Sequence, residues 1–305
     1  MPLGSAIVGL CIAKNEADII EAMVRHNLGY LDQLHVVDNE SADATPEILA
    51  ALQGEFGGRL SWTVDRRAGH GQQAMTNEML PDLAQRTDAT QVVLLDADEF
   101  IRAEPEFFRG TLRASDMPVQ LKWVNYVPTA EDDQAERNPV VRIRHRRRRE
   151  VMKWGKITVP RGLIGRAQVG AGNHSLLLGA RVPFMTDPGL TLAHFPVRSR
   201  EQLISKVLIG SWNLRLRGTS LKNEASHWRA LAARILAGDA ITDADVHDVA
   251  LTYGVEVAVR VIADPLVLPG AFELRYTPDS AALLERNLMA FAESCVQRLE
   301  QASQP

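Results

Sequence analysis

Val92-Val93-Leu94-Leu95-Asp96-Ala97-Asp98-Glu99-Phe100 is the stretch that decides the fold. Four consecutive apolar residues read as a strand buried on both faces, the form a central strand of a parallel sheet takes. They run straight into two carboxylates one residue apart. Helix capping accounts poorly for these acids, because the next helical pattern begins only at about Pro105. Contacts to a metal or to ribose hydroxyls account for them better.

Three earlier apolar runs behave the same way. The run over 6–12 ends in Lys14-Asn15-Glu16, that over 34–37 in Asp38-Asn39-Glu40-Ser41, and that over 60–64 in Asp65-Arg66-Arg67. Between them, 18–28, 45–52 and 72–84 carry helical spacing, and Thr45-Pro46 supplies a helix start. The alternation predicts an α/β fold with a mostly parallel sheet flanked by helices. The carboxyl ends of such strands lie along one edge, where ligands bind. Carboxylates gathered there repel one another unless a cation or a donor-rich ligand is present.

Beyond residue 100 the pattern changes. Strands are expected over 119–127, 176–178 and 190–194, with an acidic loop over 128–139 holding Glu131, Asp132, Asp133 and Glu136. Helices are expected over 201–217, 223–236, 243–262 and 279–301. A boundary near residue 198 divides a 1–198 catalytic part from a 199–305 helical extension.

Composition narrows the class. The chain has 305 residues, 46% hydrophobic and 24% charged, with net charge -4, as a soluble globular protein does. The acidic balance argues against nucleic acid as partner. Two cysteines far apart in sequence, Cys11 and Cys295, exclude a disulfide scaffold and a cysteine zinc site. No basic-then-apolar leader and no run of membrane-spanning length is found, so a cytoplasmic protein is expected, with peripheral membrane contact left open. There is neither a Walker lysine motif nor a dinucleotide glycine fingerprint.

With these residues in place, the sequence resembles family 2-type glycosyltransferases of the GT-A fold over roughly residues 6–215. Four segments carry the resemblance, in order: Cys11-Ile12-Ala13-Lys14-Asn15-Glu16; Val36 to Thr45, with an Asn inserted into the usual spacing; Leu94 to Phe100; and Leu192-Ala193-His194-Phe195-Pro196-Val197-Arg198-Ser199. It implies inverting transfer of a sugar from a nucleotide diphosphate sugar to a hydroxyl of a glycan or lipid-linked acceptor, with a bacterial cell-surface glycan as the setting. Asp38 would contact the base, lined by Asn15 or Glu16. Asp96 would lie near the ribose and the metal, and Asp98 and His194 would ligate Mn²⁺ or Mg²⁺. The plainer role for His194 is a satisfied core histidine. Asp65 belongs to the same edge. Arg198 and Lys206 are placed to reach the diphosphate.

The catalytic base is where the chain departs from the family, and Glu150 and Asp133 are the candidates. Trp154 is a candidate sugar-stacking surface and His174 a candidate acceptor contact. Arg142, Arg144, Arg146 and Arg148 would share one face of a strand, either for an anionic ligand or as a solvated edge. Two rival functions stand beside the transferase. A sugar nucleotidyltransferase would need a glycine-rich basic loop where Lys14-Asn15-Glu16 stands. A non-catalytic nucleotide-sugar or glycan-binding protein would keep the fold and lack turnover. The oligomeric state is left open.

Overall fold

The computed structural model describes residues 6–67, 71–151, 155–216, 226–255, 257, 259–270 and 273–302. The chain runs β1 (Ala6–Ala13), α1 (Ile20–Asn27), β2 (Gln33–Asp38), α2 (Thr45–Phe56), β3 (Leu60–Val64), α3 (Gln72–Thr87), β4 (Ala89–Asp96), β5 (Glu99–Arg102), α4 (Pro105–Ala114) and β6 (Val119–Asn125). It continues through α5 (Pro139–Arg142), β7 (His145–Arg147), β8 (Gly155–Pro160), β9 (Gln168–Val169), β10 (Leu176–Leu178), β11 (Ala180–Arg181) and β12 (Met185–His194). The last elements are α6 (Arg200–Leu216), α7 (Ser226–Leu236), α8 (Asp243–Leu251), β13 (Val261–Ala263) and α9 (Ser280–Ala302).

Among the described residues, eight strands form one sheet in the order β3-β2-β1-β4-β8-β6-β12-β5. The first four are parallel, β8 is antiparallel to β4 and β6, β6 and β12 are parallel, and β5 is antiparallel to β12. The expected class, α/β with a mostly parallel sheet flanked by helices, is borne out. The directions also have a consequence for the site. The carboxyl ends of β1, β2, β3, β4, β6 and β12 share one edge, and the two antiparallel strands bring their amino ends, with Glu99 and Lys156, to that same edge.

The period-two alternation of the strands splits the core into two layers. Ile7 and Cys11 of β1 and Val93 and Leu95 of β4 pack under α1, α2 and α4. Val8, Leu10, Val92 and Leu94 pack on the α3 side. Both faces of β4 are fully buried, as its unbroken apolar run predicts. Each such side chain contributes about 1.5–3 kcal/mol.

Several expectations change. The helix expected over 243–262 stops at Leu251, where Gly254 takes a left-handed φ of 67°, and 261–263 becomes β13, antiparallel to β7. The arginine run is no continuous strand face. Arg142 lies in the short helix α5 and donates to the carbonyls of Glu136 and Arg198. Arg146 pairs with Asp264 at 2.6 Å, and Arg147, 1% exposed, donates to the Ala250 and Tyr253 carbonyls. Three of the arginines thus staple the chain together from within. Helices α6, α7 and α9 fall where expected, residues 217–225 lying outside the described residues.

The carboxyl-terminal stretch is tied to the first helix through one buried carboxylate. Glu21, 0% exposed, accepts from the backbone N–H groups of Arg275, Tyr276 and Thr277 at 2.8–2.9 Å, from the Thr277 hydroxyl and from Arg25. Burial would raise its pKa, but these hydrogen bonds outweigh burial and hold it below the ordinary carboxyl value. The contribution is therefore present above that value and lost as pH falls through the depressed one. Glu21→Ala strands three N–H groups and is expected to cost about 1–3 kcal/mol per group left without a partner. Urea denaturation of variant and parent near neutrality and in acid checks this. The stability gap should narrow in acid.

Candidate active site

The edge begins with two interlocked loops. Asn15 adopts a left-handed φ of 56°, and its N–H donates to Ser41 Oγ at 2.8 Å while its Oδ1 accepts from Ala42 N–H at 2.7 Å. Glu16 N–H donates to Thr45 Oγ1, and Ala17 N–H to Asp43 Oδ2. Asp43 also accepts from the N–H and hydroxyl of Thr45. Lys14 Nζ donates to the carbonyls of Asn39 and Glu40, the point of the inserted Asn. Much of the two motifs is thus joinery. Asp38, 1% exposed, accepts Ser41 N–H on Oδ2, and its buried Oδ1 has no partner among the described residues. Asp65 is clamped by Arg67, whose other guanidinium nitrogen reaches Glu78.

The acidic triplet is held by cations delivered from distant strands. Lys156, 1% exposed, donates to Asp96 Oδ2 at 2.6 Å and to the Gly172 carbonyl at 2.9 Å, with Glu99 Oε1 at 3.8 Å. Gln72 takes the other oxygen of Asp96. Glu99, 0% exposed, accepts from Trp123 Nε1 and from the Asp96 N–H. Burial pushes the Glu99 carboxyl well up, and Asp96 and Glu99 raise the Lys156 ammonium despite its own burial. Gly155 makes the strand pairing possible. A Cβ there would lie 2.1 Å from the Leu121 carbonyl oxygen, so only glycine lets β8 meet β6 and set Lys156 in place.

Asp98 lies among a second set. Lys206 Nζ is 3.3 Å from its Oδ2, Arg198 Nη1 3.7 Å, and His194 Nε2 is 3.7 Å from Oδ1. Burial alone would raise Asp98, but Lys206, His194, Arg198 and Lys156 outweigh it and hold the carboxyl well below the usual range. Arg198, 2% exposed, donates to both oxygens of Asp18, to Glu16 and to the Phe195 carbonyl. Burial lifts Glu16 to about 7 against the pull of Arg198.

His194 ends β12 in register with Asn125 and Glu99. Its ring stacks on Trp123 at 4.4 Å and meets the edge of Tyr253 at 5.5 Å. Its Nδ1 is 2.8 Å from Asn125 Oδ1. Asn125 in turn donates its N–H and Nδ2 to the two oxygens of Glu150, at 2.6 and 2.8 Å. Burial lowers His194 to about 4, so the imidazole is neutral at pH 7. A neutral ring that donates through Nδ1 has its lone pair on Nε2, the atom facing Asp98.

The donor chemistry of this pair, one imidazole nitrogen and one carboxylate oxygen, fits a divalent cation such as Mn²⁺ or Mg²⁺. Among the described residues no three His, Cys, Asp or Glu side chains form a complete cage. A cation held here would thus draw further ligands from a bound substrate or water. Asp96, with both oxygens engaged, stands behind the pair.

The structure therefore brings together Glu16, Asp96, Asp98, His194, Arg198 and Lys206. His174 joins from the side, donating from Nδ1 to the Gly155 carbonyl at 2.8 Å and touching the edge of Trp123 at 5.3 Å. Asp133 lies in the exposed acidic loop and caps its own turn through Ala135 N–H. Trp154 lies outside the described residues. Sequence reading missed Trp123, Asn125, Glu99 and Lys156. A cleft of about 200 Å³ opens between the Lys14–Asp18 loop and α6 and α9, lined by Glu16, Ser205, Lys206, Leu283 and Asn287 among others.

No protein-family model matches the chain, and no curated protein matches it. Among solved structures, it is similar to residues 1–349 of S. aureus TarS at 14% identity, over 76% of this chain and 70% of that one, with a TM-score of 0.41. It is similar to the mannosyltransferase PcManGT from Pyrobaculum calidifontis in complex with GDP-Man and Mn²⁺ at 13% identity, over 95% and 75%, with a TM-score of 0.42. A shorter match is to glucosyl-3-phosphoglycerate synthase from Mycobacterium tuberculosis at 21% identity, over 39% and 44%, with a TM-score of 0.29.

Lys156→Met leaves Asp96 and Glu99 without their shared ammonium and is expected to cost about 3–5 kcal/mol. The loss should be larger near about pH 8 than near about pH 5, because protonating Glu99, whose pKa is already raised, relieves the unpaired charge. Denaturant midpoints at the two pH values check it.

Proposed function

We propose that this chain is a metal-dependent, inverting glycosyltransferase that moves a sugar from a nucleotide diphosphate sugar to a hydroxyl of a glycan or lipid-linked acceptor. The observation that carries the reading is the pair at the sheet edge: His194 Nε2 and Asp98 Oδ1, two electron-pair donors facing each other across 3.7 Å. They sit beside Lys206 and Lys156, in an edge that also holds Asp38 with an unpartnered buried oxygen.

Asp38 Oδ1 accepts a donor from the base, and Asn15 and Glu16 shape the pocket beside it. Asp96, fixed by Lys156 and Gln72, presents toward the ribose. Asp98 and His194 would hold the cation, which when bound supplies positive charge to the leaving nucleoside diphosphate. Lys206, held on Asp98 and the Pro196 carbonyl, adds an ammonium at the same place, and a preorganised positive charge there stabilises charge that grows on the leaving oxygens. Arg198 acts beneath them by keeping Glu16 and Asp18 from repelling Asp98. Trp123 and His174 border the acceptor side. Inversion requires a carboxylate to take the acceptor proton. Asp133 and Glu150 are the two to vary, and Asp133 is the less engaged of them.

Among the described residues no helix is long and apolar enough to cross a membrane. We place the enzyme in the cytoplasm, where nucleotide sugars are made, acting on an acceptor it meets in solution or at a membrane surface.

Calorimetric titration of nucleoside diphosphates and their sugars, with and without Mn²⁺, tests the reading. One diphosphate should bind with Mn²⁺ at least tenfold more tightly than without it. Asp98→Asn and His194→Ala should each abolish that dependence. Absence of binding by any member of the panel under both conditions would overturn the proposal. Donor binding without transfer to any acceptor would favour the non-catalytic binding protein instead.

A further inference from the structure

Glu150 and Asn125 have a role that neither the fold nor the donor site requires. We propose that they form a positioning pair that sets the tautomer of His194, keeping its proton on Nδ1 and turning the Nε2 lone pair toward Asp98. The consequence for cation binding rests on the proposed ligand role of Asp98 and His194. The tautomer itself does not.

The argument is one of donors and acceptors. An ionised carboxylate only accepts. Glu150 Oε1 lies 2.6 Å from Asn125 N and Oε2 lies 2.8 Å from Asn125 Nδ2, so the amide nitrogen of Asn125 must face Glu150. Its carbonyl oxygen is thereby turned to His194, 2.8 Å from Nδ1. A carbonyl oxygen only accepts, so Nδ1 carries the hydrogen. The imidazole is locked in plane by Trp123, stacked at 4.4 Å with 19° between the rings.

The pair is itself anchored. Arg147 Nη1 lies 3.5 Å from Glu150 Oε2, and its Nη2 donates to the carbonyls of Ala250 and Tyr253. Tyr253 then returns to the edge of the His194 ring. Asn125 is 4% exposed and Arg147 1% exposed, so this array is built into the protein. Partners of this kind behind a ligating histidine change metal affinity by about 10–100-fold.

Glu150→Gln is a sharp test, because it changes one atom two residues removed from the imidazole in the chain of contacts. The backbone N–H of Asn125 cannot turn, so the Gln oxygen must stay on it. The Gln amide nitrogen then meets Asn125, which flips to offer its oxygen. That flip puts Nδ2 of Asn125 against His194 Nδ1, and the ring proton must move to Nε2. Adding Asn125→Asp to this variant restores an acceptor toward both neighbours and should return the proton to Nδ1.

The experiment is long-range ¹H–¹⁵N correlation on the full chain labelled at histidine, without metal, with His194 assigned through His194→Gln. The expected results are the Nδ1–H form in the parent, the Nε2–H form in Glu150→Gln, and Nδ1–H again in the double variant. A parent spectrum showing Nε2–H overturns the proposal whether or not any variant folds, and so does an unchanged tautomer in Glu150→Gln. Mn²⁺ titration followed by the resonance of the free ion separates the two ideas. Weaker binding by Glu150→Gln, about 10–100-fold, supports the positioning role, and equal binding by parent and variant overturns it. If neither binds Mn²⁺ while the tautomers behave as expected, the metal reading fails and the positioning pair stands.

Discussion

Three cations, Lys156 and Arg198 buried and Lys206 partly exposed, make the acidic edge possible. Lys156 reaches Asp96 and Glu99 from β8, and Arg198 and Lys206 reach Glu16, Asp18 and Asp98 from the segment after β12. Without them the carboxyl ends of β1 and β4 would bring like charges together in a low-dielectric interior, at a cost of several kcal/mol per ion. The cations come from residues 57 to 182 positions away in sequence. The edge therefore exists only once the whole sheet has closed. The site is a product of tertiary structure even though its acids sit on two short motifs.

The same economy shapes the first two loops. Residues 14–17 and 39–45 hold one another through Asn15, Ser41, Asp43 and Thr45, each bond joining a side chain of one loop to the backbone of the other. The motif residues that look chemical in sequence divide into two sorts. Asn15 and Asp43 spend their polar atoms on the backbone. Asp38 retains a buried oxygen with no partner among the described residues. A motif of this type is read correctly as a whole and incorrectly residue by residue, because sequence shows the side chain's chemistry and not which partner consumes it.

The alternation of apolar runs made the parallel half of the sheet legible, with β1, β2, β3 and β4 each found where the runs fall. The acids at their ends were legible for the same reason, since strand direction alone places them together. What was not legible was carried by the strands of the second half of the sheet, β8 and β6 above all. Nothing in Gly155-Lys156-Ile157 announces that its lysine will answer Asp96, because the pairing of β8 depends on Leu121 and Lys122, more than thirty residues earlier. Asn125 and Trp123 read as ordinary strand residues until register sets them beside His194. The arginine run alternates as a strand does, yet only His145–Arg147 pair as one. Asn138-Pro139 instead starts a helical turn, the Asn138 side chain accepting the N–H of Val140.

The carboxyl-terminal residues belong to the site's architecture as much as the sheet does. Glu21 fastens 275–277 to α1, β13 pairs with β7, and Arg147 binds the carbonyls where α8 ends. The tie through Arg147 leads back to the acidic edge: Arg147 lies on Glu150, Tyr253 on His194, and Lys206 over the Tyr253 ring. Leu266 and Leu283 of the same stretch lie in the core under α1, so a displacement of this segment would be felt both at His194 and in the core. That shared packing links stability to function in this chain. The elements packed last in sequence hold the side chains on which the chemistry depends, and strengthening the sheet alone would leave the geometry of the site unsecured.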